Sequence, residues 1–228
     1  VLKSNALLAS VISTIPATIL IFANVYWKTF PLPSVKVEVA KNADYFLIKD
    51  SKLRAKVHEY SECLMSKSKF YKGKWILFST DIRNFGRETA RNCAALLIIE
   101  GVGSYRVVWG NGLNSEYINI LPGDGCSVEL FMMRIEGRYE EGEFREEKLR
   151  IITPLAYGAC GSVRPGQFKY VKELNVDIDK IYEMKIRIIG ENCKLEDTLY
   201  IGNFRSLWNG LPISYKENAR WTPRALHA

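Results

Sequence analysis

The stretch Tyr157-Gly158-Ala159-Cys160-Gly161-Ser162 sets a cysteine in a glycine turn, the setting in which a thiol can serve as a nucleophile. Such a thiol needs a base to become a thiolate. Only His58 and His227 could supply an imidazole. His58 alternates with Val57 and Glu59 in an extended pattern, which reads as a surface or cross-strand histidine rather than a general base. The residues around Cys160 do not match the local signatures of cysteine proteases. Metal chemistry fares no better: two histidines and the scattered Cys63, Cys93, Cys126, Cys160 and Cys193 lack zinc-ligand spacing. Asp81, Glu88 and Asp124 could take calcium only if folding brought them together, because no EF-hand spacing is present. Gly101 to Tyr105 and Trp109 to Gly112 read as hairpin turns, since neither follows a strand and opens a helix as a phosphate loop does. The expectation is therefore a chain that is not an enzyme, with no catalytic, cofactor-binding or metal-binding residues.

Charge narrows the partners. The 228 residues carry a net charge of +7, but acidic residues are interleaved throughout. No Lys/Arg cluster of the kind that grips phosphates occurs, and aromatic residues do not alternate with basic ones as a single-strand platform requires. Nucleic acid is not an expected partner. Attraction to anionic lipid headgroups accounts for the modest basic excess.

The strongest positional signal is the uncharged run from Asn5 to Trp27, about 23 residues and long enough to cross a bilayer as a helix. A cleaved signal peptide has a shorter apolar stretch and a small-x-small exit, where this chain has Phe22, Tyr26 and Trp27. A core helix of a soluble domain would carry charges on its outer face. Tyr26 and Trp27, followed by Lys28, form an interfacial belt with a snorkelling cation. Ser10, Ser13, Thr14, Thr18, Asn24 and Pro16 suit a helix packed on other membrane helices better than one facing lipid alone. Lys3 precedes the run, whereas Lys28, Lys36 and Lys41 follow it, so the positive-inside rule favours a cytoplasmic C-terminal domain over an extracellular one. An odd number of cysteines without a CxxC pair points to a reducing compartment as well.

Behind the span, the pattern is almost all strand. Residues 29–53 read as a linker and first strand, with Val35, Val37 and Val39 on one face. Residues 54–204 read as one β domain and 205–228 as an aromatic and basic tail. Ala55 to Tyr60 and Lys74 to Ile82 are strand candidates. From Tyr182 to Ile188, Tyr182, Met184, Ile186 and Ile188 alternate with Glu183, Lys185 and Arg187, as on a sheet with one wet face. Thr198 to Phe204 pairs with it through a polar turn at Glu191 to Asp197. The charge-dense Glu136 to Arg150 reads as a solvated loop or short surface helix, with Glu140, Glu141, Glu143, Glu146 and Glu147 as an acidic patch blunted by Arg138, Arg145, Lys148 and Arg150. In the tail, Trp208, Tyr215, Arg220, Trp221 and Arg224 have the composition of an interface hot spot, or else cover a sheet edge of their own domain.

Two turns carry the organisation of the β domain. In the segment Ser79 to Gly101, Asn84 can bond its own backbone and Gly86 can take a positive φ before a small residue, Ala90, and the returning strand from Cys93 to Ile99. Between Tyr117 and Met133, Pro122-Gly123-Asp124-Gly125 forms a second turn between strands. These residues, with Trp109 ahead of the Pro-Gly turn, resemble the immunoglobulin-like β-sandwiches of the CARDB type, over roughly Trp75 to Phe204. The pattern is also similar to prokaryotic membrane proteins in which one N-terminal helix precedes such a domain. The resemblance implies an all-β, antiparallel immunoglobulin-like sandwich behind one transmembrane helix, acting in adhesion or assembly rather than catalysis.

Three functions follow in order: a single-pass, membrane-anchored interaction or assembly module, an accessory subunit whose partners are the lipid bilayer and other membrane proteins; an extracellular surface-layer or filament subunit with its helix in a shaft; and a membrane-tethered enzyme.

Overall fold

The computed structural model of the chain describes residues 33–40, 42–64, 69–110, 117–155 and 170–221. The run Asn5 to Trp27 with Tyr26, Trp27 and Lys28, and likewise Cys160, Arg224 and His227, lie outside the described residues. Among the described residues, no helix is long and apolar enough to cross a membrane.

The described chain is all-β and mainly antiparallel. Its strands are β1 (Val35–Val37), β2 (Phe46–Leu47), β3 (Arg54–Leu64), β4 (Lys69–Asn84), β5 (Ala90–Ile99), β6 (Gly103–Trp109), β7 (Ile118–Ile120), β8 (Gly125–Glu140), β9 (Glu143–Leu155), β10 (Tyr170–Glu173), β11 (Tyr182–Ile189), β12 (Lys194–Gly202) and β13 (Arg220–Trp221). Hydrogen bonding runs in the order β12-β11-β5-β6-β8-β4-β3-β2, with β9 alongside β8. Strand β6 is the corner: Gly103 to Val107 pairs with β5, and then Val108 and Trp109 pair with Glu129 and Val128 of β8.

Alternation explains where the core sits. Tyr182, Met184, Ile186 and Ile188 are buried as their spacing predicts, and they join Phe78, Phe131 and Leu130 from the other half of the sheet in one apolar cluster. Phe78 stacks on Phe131 at 4.7 Å, and Phe131 meets Phe204 edge-on at 5.6 Å. Strand β4 is covered on both faces. Ile76 and Phe78 enter that main core, while Trp75 and Leu77 form a second cluster with Val108, Met132 and Ile152. An unbroken Trp-Ile-Leu-Phe run is what a strand buried on both faces requires.

The charged stretch 136–150 is a hairpin, not a loop or helix. Strands β8 and β9 pair as far as Glu140 and Glu143, and Glu141 (φ 54°) and Gly142 (φ 85°) make a two-residue turn between them. Positive φ at both turn residues matches the right-handed strand twist. Toward the tip Arg138, Glu141, Glu143, Arg145 and Glu146 are exposed while Phe144 still packs against the core, so apolar alternation marks it only weakly in the sequence. Ion pairs replace that signal: Glu140 is reached by Arg138 of its own strand at 2.6 Å and by Arg145 across the hairpin at 3.5 Å.

The tail closes over the sheet. Helix α1 (Phe204–Asn209) is capped by Asn203, whose Oδ1 accepts from the Ser206 N–H at 2.7 Å. Helix α2 (Ile213–Asn218) follows Pro212, and β13 then runs parallel to β8. Leu207, Trp208, Leu211 and Ala219 are buried in the main core.

Candidate functional site

Three chain segments are tied together where the described chain begins. Asn84, the last residue of β4, has a fully buried side chain that meets three backbone groups. Its Nδ2 donates to the Glu88 carbonyl at 2.7 Å and to the Ile120 carbonyl at 3.0 Å, and its Oδ1 accepts from Gly86 N–H at 2.9 Å. Its backbone adds two bonds to the Pro-Gly turn: Asn84 N–H donates to the Asp124 carbonyl, and Gly123 N–H donates to the Asn84 carbonyl. That turn is closed by Asp124 N–H bonding to the Leu121 carbonyl at 3.1 Å, with Gly123 at φ 80°. Proline before a positive-φ glycine is the pattern of a type II turn.

Gly86 serves a different need from the one its position in the turn suggests. It does not adopt a positive φ. A side chain there would strike the backbone of Pro33 and Ser34, which cross directly above it. Phe85 N–H donates to the Ser34 carbonyl at 2.7 Å, which locks the entering chain onto the turn. Asn84, Gly86, Pro122 and Gly123 thus belong to one knot with Pro33 and Ser34.

The knot exposes apolar side chains. Phe85 and Leu121 are each 53% exposed, on adjacent segments of it. Lys36 and Arg83 lie over the Phe85 ring at 5.9 and 5.5 Å. Tyr117 shares the outward face of the Leu121 segment by alternation and carries Arg106 over its ring at 5.2 Å. Cations stacked on exposed aromatics present an amphipathic surface, apolar in body and charged at its rim.

Beside the knot is a cleft of about 380 Å³ lined by Glu38, Arg54, Asp81, Arg83 and Asp124. Arg54 is 5% exposed and already satisfied. It bonds Asp81 at 2.5 Å, Ser127 at 3.1 Å and Ser79 at 3.2 Å, and lies 4.0 Å from the Tyr45 ring centre. Burial pushes the Asp81 carboxyl up, with Arg54 opposing. Arg83 is held by Glu38 and the Gly123 carbonyl. The charges of the cleft are largely paired within it, which leaves little net field for a charged ligand. Asp81 and Asp124 both line it, but among the described residues no group of three His, Cys, Asp or Glu side chains could hold a metal ion.

The tail residues meet their own domain. Trp208 is buried, and Tyr215 packs on Phe46 at 6.2 Å. Trp221 lies against Arg134, a buried cation held between two indoles, 4.3 Å from Trp221 and 3.9 Å from Trp75. Glu136 accepts from Arg134 at 2.5 Å and from Arg150 at 2.9 Å. Arg220 is exposed, with its guanidinium 5.5 Å from the Phe144 ring centre. Neither Arg134 nor Arg54 was singled out from the sequence. The available sign was a lone arginine inside an apolar stretch, as in Leu130-Phe131-Met132-Met133-Arg134-Ile135. His58 sits opposite Trp75 on β3.

No protein-family model, no curated protein and no solved structure matches the chain.

Proposed function

We propose that the chain is a membrane-anchored interaction or assembly module, an accessory subunit whose immunoglobulin-like sandwich stands on the bilayer at the Asn84 knot. One observation carries the reading: Pro33 and Ser34 are seated in the knot, and only five residues separate Pro33 from Trp27 at the end of the uncharged run. Five extended residues span at most about 18 Å. A bilayer-embedded run therefore holds this end of the domain close to the headgroups. Phe85 and Leu121 then face the interface, and Lys36 and Arg83 lie at headgroup level. Helix α2 sits at the other end of β4: Lys74 Nζ bonds Asn218, ten residues from Asn84 and roughly 33 Å along the strand. The sandwich reading is supported by two halves of the sheet contributing to one core through the β6 corner. The hydroxyls and Pro16 of the run favour helix partners in the membrane.

Reconstitution of the full chain into vesicles tests the placement. A fluorophore on Leu121→Cys is quenched by headgroup-region nitroxide lipid, whereas one on Ile213→Cys is not. Equal quenching at the two sites removes the standing-on-lipid reading. Affinity capture from gently solubilised native membranes tests the assembly reading, and recovery of monomer alone defeats it.

A further inference from the structure

We infer that Cys93 and Cys193 form a dithiol site that closes to an intramolecular disulfide, joining β5 to the β11–β12 hairpin. Their sulfurs lie 3.4 Å apart although the residues are 100 positions apart in the chain. Cys93 is fully buried at the start of β5, and Cys193 is half-buried in the turn before β12.

The backbone around the pair is assembled without help from the sulfurs. Glu191 N–H donates to the Arg91 carbonyl at 3.0 Å, Arg91 N–H to Asn192 Oδ1 at 3.0 Å, and Asn192 Nδ2 to the Thr89 carbonyl at 3.0 Å. Asn92 Nδ2 also bonds the Glu191 carboxylate. Asn92 takes a positive φ of 48° in the irregular stretch of β5 between Ala90 and Cys93. Gly190 keeps the space clear: a Cβ there would lie 2.8 Å from Cys193 Sγ, 3.0 Å from Cys93 Sγ and 2.7 Å from the Arg91 carbonyl. A disulfide needs the sulfurs at about 2.05 Å, a closure of about 1.3 Å that side-chain rotation can supply within this fixed frame.

The oxidant is a small disulfide such as oxidised glutathione. The Cys193 thiolate attacks one of its sulfurs, the glutathione S–S bond breaks, and one glutathione thiolate leaves. Cys93, as thiolate, then attacks Cys193 Sγ and expels the second glutathione. The two thiol protons end on the two glutathione thiolates, and the two electrons reduce the oxidant to two thiols. Burial pushes the Cys93 thiol up, so the more accessible Cys193 makes the first attack.

The test uses the purified full chain in detergent, treated with excess oxidised glutathione, alkylated and digested with trypsin without reduction. The expected product links peptide 92–106 to peptide 188–194 and comes apart on reduction. Cys126→Ser keeps the link, and Cys193→Ser abolishes it. Closing a loop of this length raises Tm by on the order of 10 °C over the reduced protein. Peptides 92–106 and 188–194 recovered only as alkylated or glutathione-capped species overturn the proposal. So does a Cys93 link that survives in the Cys193→Ser chain. Neither result depends on how the domain sits on a membrane.

Discussion

The two ends of the β domain invert what their residue types suggest. At the tail end, aromatic side chains that look made for a partner pack on their own fold: Trp208 fills the core and Trp221 covers a buried arginine. At the Asn84 end, residues that look like turn punctuation build a rigid knot that leaves Phe85 and Leu121 exposed. Composition identifies side chains able to bury a large area. It does not say whether the surface they cover belongs to the same chain.

The contrast breaks most visibly at Asn84. Asn84→Ala removes three side-chain hydrogen bonds and leaves buried backbone groups unpaired, a loss of about 3 kcal/mol in denaturant unfolding of the full chain. A loss below half a unit would mean that the knot is ordinary turn structure. At the other end, Trp221→Ala strips one indole from Arg134 and costs about 2 kcal/mol. An unchanged stability there, with loss of a captured partner, would return Trp221 to the surface.

Between the two ends lies a smaller, pH-dependent effect. Burial pushes the Glu129 carboxyl up, opposed by Lys56. A raised acid binds its proton more tightly in the folded chain, so its contribution is fully present below the ordinary value of 4.5 and is lost as pH rises through the folded value. Glu129→Gln should therefore raise stability at neutral pH and flatten the decline above 4.5. Parallel unfolding curves for variant and parent would refute the assignment. The smallest change in stability belongs to the exposed pair: Phe85→Ser with Leu121→Ser shifts unfolding by no more than about 0.5 kcal/mol. In the Leu121→Cys reporter chain, Phe85→Ser weakens the headgroup quenching, and undiminished quenching would place the footprint elsewhere.

Much of the strand pattern was legible. The alternation from Tyr182 to Ile188 predicted its buried face residue by residue, and the Pro122-Gly123 turn fell between two strands. The hairpin at 136–150 was not legible, because ion pairs and a positive-φ Glu-Gly turn leave only Phe144 and Leu149 as a sparse apolar signal among charged residues. Gly86 was legible as a glycine position but not for its reason, which depends on a backbone crossing from Pro33 and Ser34.

By itself, the sequence determined the all-β character, the inward faces of its alternating strands and the uncharged run ahead of them, since each rests on a period or length within a short stretch. Only the tertiary structure decided which turns meet, which arginines are buried and which cysteines touch. Those are contacts between residues tens of positions apart, such as Asn84 with Ile120 and Cys93 with Cys193, and no local pattern encodes a distance that chain folding alone brings about.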